Sequence, residues 1–161
     1  HETPKLTSFA APRGGAIALR AAVRALIMSM FQVFNISGSA VSAQSQRLNV
    51  VASNLANADT VAGPDGSAYK ARQVVFQTEM MGAAGAAGVR VSTVSESDAA
   101  GRRVLDPKHP SADAEGYVTF SNVNAVEEMV NMISASRSYQ NNVEVMNTAK
   151  TLLQKTLQLG S

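Results

Sequence analysis

The two ends of this chain are written as long helices that carry more apolar surface than they can bury on each other. The first is Ser37–Asn57, SGSAVSAQSQRLNVVASNLAN. Phe34, Val41, Leu48 and Leu55 recur every seven residues through it, with Val51 and Ala52 beside the same line. That spacing is one face of a helix. The second is Asn124–Leu157. Its line Ala125, Met129, Met132, Ser136, Tyr139, Val143, Met146, Lys150, Leu153, Leu157 follows a 4-3 spacing and is apolar at all but two places, a coiled-coil-type seam. At 1.5 Å per residue the helices span about 30 and about 50 Å. Paired as a hairpin, roughly 20 Å of the second has no partner in the same chain. Val126, Val130, Ile133, Val145 and Leu152 add apolar positions off the seam. Either these residues cover the middle of the chain, or they await neighbouring molecules.

Local signals bound the helices. Asn124 is placed to cap the second, with Glu127 three residues on as in a capping box. Glu127 and Glu128 suit the positive end of the helix dipole. Gly160 follows as a stop. The first helix should end near Asn57–Asp59, because Thr60–Pro64 cannot continue it. Between the helices, Ala62–Ser67 (AGPDGS) is a turn. Tyr69–Thr78, Gly88–Ser95 and Tyr117–Phe120 read as strands, and Met81–Gly88 as a flexible connector. Asp106–Pro110 is extended or turned. The expected fold class is α+β: two long terminal helices paired as an antiparallel coiled-coil-like hairpin, with a small β-rich middle region. The expected boundaries are an extraneous or disordered leader over 1–29, a helix within 30–59, a β-rich region over 60–120 and a helix within 121–161.

Composition narrows the function. Of 161 residues 45% are hydrophobic, but only 5% are aromatic and many are Ala, so any globular core is small. Cysteine is absent, which excludes disulfides and Cys-based zinc sites. The formal charge of +2 is misplaced for nucleic acid. Lys5, Arg13, Arg20 and Arg24 outweigh Glu2 in the leader and leave the rest of the chain slightly acidic, with no basic stripe. The leader runs ALRAAVRALIM, in which arginines interrupt the apolar run. No continuous apolar stretch reaches the roughly 18 to 20 residues of a membrane span, and no secretory cleavage site follows. Met28 or Met30 is the expected natural start.

Chemistry finds no foothold. His1 and His109 stand alone, without a second ligand at metal spacing. Adjacent Glu127 and Glu128 point about 100° apart on a helix and do not converge as an acid–base pair. Gly82, Gly85 and Gly88 lack the strand-to-helix setting and the trailing Lys-Ser/Thr of a phosphate loop. No enzyme activity, cofactor, metal or small-molecule substrate is expected. The informative polar residues are amides: Asn49, Asn54, Asn57, Asn131, Gln140, Asn141, Asn142 and Asn147 sit in the two helices. Asn is a mediocre helix former. Amides donate and accept without the desolvation cost of a charge, so they suit interfaces where register must be fixed, although a neutral solvated face has the same composition.

Leu48–Thr60, LNVVASNLANADT, resembles the N-terminal motif of the bacterial flagellar rod and hook (axial) family. The Gly-Tyr-Lys-like continuation of that motif is interrupted here, since Gly63 and Tyr69–Lys70 are separated by the Pro-Asp-Gly turn. Glu127–Asn131 followed by Ser136–Asn142 resembles the family's C-terminal motif, whose Arg-x-Tyr-x-x-Asn stands as Arg137, Tyr139 and Asn142. The combination is most similar to the family's proximal rod members and covers about residues 30–161. The resemblance implies a non-enzymatic subunit of the basal-body rod, which polymerises helically to build a torque-transmitting shaft around the export channel. The implied partners are other rod proteins, copies of itself and the flagellar export apparatus. The implied location is the periplasm-spanning rod, reached without a cleaved signal peptide. Leu48, Val51, Leu55, Met129, Met132, Tyr139, Val143, Met146 and Leu153 would then make helix–helix contacts. Asn54, Asn57, Arg137, Asn141 and Asn142 would fix register within or between subunits. The reading from a different class is a soluble helical binding module, such as a secretion-associated partner protein.

Overall fold

The computed structural model describes residues 14–82 and 85–160. Helix α1 runs Gly14–Ala56 and helix α2 runs Ala125–Leu159. Between them lie β1 (Arg72–Met80), β2 (Ala87–Glu96), β3 (Arg103–Leu105) and β4 (Tyr117–Thr119). The fold is α+β: two helices with a small antiparallel middle. β1 and β2 form one two-stranded sheet, and β3 and β4 form a second. The first pairing runs from Arg72 opposite Glu96 to Met80 opposite Ala87, with a bulge between Val75 and Phe76 that increases its twist.

Helix α1 ends within a residue of the expected stop but begins at Gly14 instead of Ser37. GGAIALRAAVRALIMSM is rich in Ala, Leu, Met and Arg, all strong helix formers, and nothing breaks the helix at the expected 29/30 boundary. Residues 1–13 of the expected leader lie outside the described residues, as do Ala83 and Ala84 of the connector. The expectation about membrane-length segments also needs correcting. Arg20 and Arg24 interrupt every purely apolar run, yet α1 contains an 18-residue window that is unburied and apolar enough, by length and composition, to cross a bilayer. Abundant Ala, Leu, Ile, Met and Val outweigh the two charges.

α2 begins where the capping signal placed it. Asn124 has extended backbone, and its side chain accepts the Glu127 N–H at 3.2 Å. Gly160 closes the helix in the right-handed conformation by donating to Thr156 O, so the end is a continued turn and not a left-handed cap. The 62–67 turn forms as read: Gly66 takes φ 79°, and Asp65 accepts the Ser67 N–H and hydroxyl at 3.2 and 2.7 Å. The short strand β3 was not visible in the sequence. Its three residues are all exposed and its partner β4 supplies the buried residue, Val118.

The core is thin. Its buried apolar residues are Ala43, Val51, Ala62, Val118, Ala135 and Ala149. The chain exposes 11729 Å², where a globular chain of 161 residues would expose roughly 7,700 Å². Among the described residues, exposed large apolar side chains on both helices and the β1–β2 hairpin contribute to this area.

Candidate assembly interface

α1 and α2 pack on each other more extensively than any other pair of elements. Asn54 meets Glu128, a Cβ added to Gly38 would lie 3.7 Å from the Met146 methyl, and Leu26, Met30 and Val33 share a groove with Val145, Ala149 and Leu152. The covered line on α1 is Ser37, Ala40, Gln44, Arg47, Val51, Asn54, with the buried Ala43 beside it. On α2 it is Glu128, Met132, Ala135, Tyr139, Asn142, Met146, Ala149, Leu153. Both follow 3-4 spacing.

The α2 line shares one column with the seam read from sequence (Met132, Tyr139, Met146, Leu153). In the other column it lies one residue earlier: Ala135, Asn142 and Ala149 stand where Ser136, Val143 and Lys150 were expected. Small Ala135 and Ala149 take buried places on this line, while larger apolar residues face outward: Val126 is 71% exposed, Val130 60% and Ile133 56%. Such a contiguous strip is unusual for an isolated soluble molecule.

At the end of this contact is a junction built on Asn54, which has no solvent exposure. Its Nδ2 donates to Arg72 O at 2.8 Å and to Glu128 Oε2 at 3.0 Å. Its Oδ1 accepts from Tyr69 OH at 2.9 Å and from Arg72 N–H at 3.0 Å. One amide thus uses its full capacity to join α1, the start of β1 and the first turn of α2. Towards Arg72 it imitates a peptide group, answering both the N–H and the C=O as a neighbouring strand would. A second amide secures the other side. Asn122 Oδ1 accepts the Ala71 N–H at 2.6 Å, and its Nδ2 donates to Ser97 O at 3.0 Å and Ala99 O at 2.9 Å. The hairpin is therefore held at its base by two asparagines. Farther along, Ser39 Oγ accepts the Val89 N–H at 3.1 Å and donates to Ile36 O. A Cβ on Gly88 would sit 2.7 Å from Ser39 Oγ and 2.6 Å from the Met81 sulfur, so this contact requires glycine.

The other residues singled out from sequence are dispersed. Val51 is buried, while Leu48, Leu55, Met132, Tyr139, Val143, Met146 and Leu153 are half-buried. Met129 is 55% exposed, and Arg137 and Asn141 are exposed; Asn141 lines the groove with Leu26 and Val145. Asn57 Nδ2 donates to Ser53 O, and Asn142 Nδ2 donates to Ser138 O, both bonds within their own helix. Sequence reasoning missed Glu128, Asn122, Tyr69 and Ala135. The sequence places Glu128 at the helix dipole and within the Glu127–Asn131 motif, but does not show that it is buried and faces Asn54. Its position four residues before Met132, on the seam's 3-4 rhythm, was the available signal.

A cleft of about 310 Å³ opens beside the junction, lined by Arg47, Val50, Arg72, Phe76, Glu128 and Asn131 among others. Among the described residues no cluster of three His, Cys, Asp or Glu side chains could hold a metal ion.

The loop between β3 and β4 has its own organiser. Asp113 accepts the N–H groups of Tyr117 at 2.9 Å and Glu115 at 3.0 Å, and the Arg103 guanidinium at 3.0 Å. The Tyr117 bond above all, with help from Glu115 and Arg103, holds its carboxyl below the ordinary 3.8. A lowered pKa means stability present above 3.8 and lost as pH falls through the folded value. We predict that the amide signals of Tyr117 and Glu115 titrate together with a midpoint below 3.8; a midpoint at or above 3.8 would show that these bonds do not hold the charge.

Helical end segments joined through a buried amide junction, with apolar faces left outside, define a structural assembly subunit. Comparison with known families agrees. The family described as flagella basal body rod protein matches residues 34–64. The family described as flagellar basal body rod FlgEFG protein C-terminal matches residues 114–159. The chain is 58% identical over 133 residues to the flagellar basal-body rod protein FlgC of Escherichia coli O6:H1, covering 83% of this chain and 99% of that protein. It is 56% identical to FlgC of Salmonella typhimurium and 58% identical to FlgC of Yersinia enterocolitica, each over the same shares. The chain belongs to the FlgC family of flagellar basal-body rod proteins. It is a structural subunit of the basal-body rod and not an enzyme. The reading as a soluble helical binding module is set aside.

Proposed function

We propose that the chain polymerises helically with copies of itself and with other rod proteins, through α1 and α2, to build the shaft that transmits torque and encloses the export channel. The observation that carries this is the strip Val126, Val130, Ile133 on α2, left uncovered because small residues take the inner line. Its burial against neighbours would supply the apolar area that the monomer lacks. The opposed order of contacts, Asn54 with Glu128 and Gly38 with Met146, supports an antiparallel coiled-coil-like hairpin as the polymerising unit. In this reading Leu48, Leu55, Met129, Arg137, Asn141 and Val143 meet neighbouring helices, and Val51, Asn54, Met132, Tyr139, Asn142, Met146 and Leu153 hold the hairpin together, with Asn57 closing α1. The region 60–120 is the outward part. The chain reaches the periplasm-spanning rod through the flagellar export apparatus without a cleaved signal peptide, and the apolar stretch of α1 contacts protein instead of bilayer.

The test is incorporation. Leu55→Asp and Met146→Asp each place a charge on a half-buried apolar contact, and each is expected to remove the chain from purified basal bodies and abolish motility. Normal motility in both variants would overturn the proposal.

A further inference from the structure

Helix α2 carries a second stripe, on its solvent side. It opens with Val126, Val130 and Ile133. The same spacing returns eleven residues on as Arg137, Asn141 and Glu144, and again as Thr148, Leu152 and Lys155, with Leu159 closing it. Eleven residues make almost three whole turns, so the stripe stays on one face and runs nearly straight. Every one of these positions is exposed, while Glu128, Ala135 and Ala149 of the covered line are buried. The stripe is apolar towards both ends and charged in the middle. Arg137 and Glu144 take no ion pair among the described residues.

This order of residues selects its occupant. A second copy laid parallel and in register would set Arg137 on Arg137 and Glu144 on Glu144, and like charges repel. Laid inverted, with Ile133 opposite Leu152 of the second copy and Val126 opposite its Leu159, apolar meets apolar at both ends. Asn141 then lies beside the two-fold axis. Arg137 comes within about 6 Å, along the helix, of Glu144 of the second copy, a gap that a guanidinium side chain spans. Val130 faces the alkyl stem of Lys155, whose ammonium reaches water. Symmetry makes each match twice.

The surroundings fit the same occupant. Leu26 and Val33 of α1 border Leu152, and Leu19 borders Leu159, so the incoming Val126 and Ile133 find apolar ground beside the stripe as well as on it. A helix carrying one sign of charge would satisfy Arg137 or Glu144 and leave the other facing its like. The inverted copy satisfies both, over a stripe about 50 Å long.

We propose that outside the rod the stripe Val126–Leu159 pairs with the same stripe of a second, inverted copy, forming a two-fold dimer that covers the strip Val126, Val130, Ile133. The same surface is used on both copies, so the contact closes on itself and does not propagate. The dimer and the rod therefore compete for one face, and a chain held as a dimer is withheld from polymerisation. The competition rests on the role proposed above for that strip; the dimer itself does not.

Light scattering on the purified full chain tests the dimer, and the absence of cysteine allows its geometry to be read by cross-linking. The chain is expected to dimerise and to grow no larger. Arg137→Glu and Glu144→Arg are each expected to weaken the dimer about tenfold, with the double exchange restoring it to within about twofold. Under mild oxidation Asn141→Cys should cross-link with itself. Val126→Cys should not, but should cross-link when mixed with Leu159→Cys. A monomer at all concentrations would overturn the dimer while leaving the rod role standing, and an open-ended series of larger species would overturn its closure. Self-cross-linking of Val126→Cys would overturn the inverted arrangement, and failure of the double exchange would overturn the charge pairing. In basal bodies purified from cells making Asn141→Cys the cross-link should be missing; its presence there would overturn the competition. Absence of the wild-type chain from basal bodies would instead overturn the rod role itself.

Discussion

Asn54→Asp is expected to destabilise the chain by about 3–5 kcal/mol at neutral pH. The substitution changes the side chain's volume very little but removes both amide donors. Arg72 O and Glu128 Oε2, now 2.8 and 3.0 Å from Nδ2, would each face an oxygen. One of those oxygens is charged, and the site is closed to water that might screen it. Denaturant unfolding of the full chain followed by circular dichroism measures the loss. Hydrogen exchange at the Arg72 amide, which donates to Asn54 at 3.0 Å, reports whether the junction itself has opened. A loss under about 1 kcal/mol would mean that the junction contributes no more than an ordinary surface bond.

The second large effect is steric. Ala135 has no exposure and lies on the covered line of α2. Leu is the better seam residue by sequence reasoning, yet Ala135→Leu is expected to cost about 1–3 kcal/mol, since the added carbons must force the helices apart. Two residues away, Ile133→Leu changes a residue that is 56% exposed, and it should stay within about 0.5 kcal/mol. The pair separates overpacking from any general dislike of substitution in α2. If Ala135→Leu proved neutral, Ala135 would not be packed as tightly as its burial indicates.

These two positions mark how far the sequence could be read. The rhythm of α2 was legible because it depends only on spacing, and Met132, Tyr139, Met146 and Leu153 fall on the inner line. The choice between Ala135 and Ser136, or Asn142 and Val143, was not. Hydrophobicity favours Val143, whereas close backbone approach favours small residues, and which effect wins depends on a partner helix that one segment does not specify. The amides show the same limit. Asn54 was singled out because an asparagine in mid-helix is costly. Its partners, however, lie at Tyr69, Arg72 and Glu128, and no local rule connects these positions. Asn122 lies outside both helices, so the search for helical amides passed over it. The early start of α1 was missed because a weakly periodic, alanine-rich stretch shows helix propensity without an amphipathic face. β3 was missed because three exposed residues carry no pattern at all.

The peptide-like way in which Asn54 answers Arg72 has a mechanical consequence. Its bonds to Arg72 N and Arg72 O span the same gap between helix and strand, so a pull that separates the two must strain them together and not in succession. Asn122 grips the neighbouring residue, Ala71, from the segment between β4 and α2. A load on the hairpin is thereby divided among several short bonds at its root, and the hairpin should tilt as a stiff lever before it peels away.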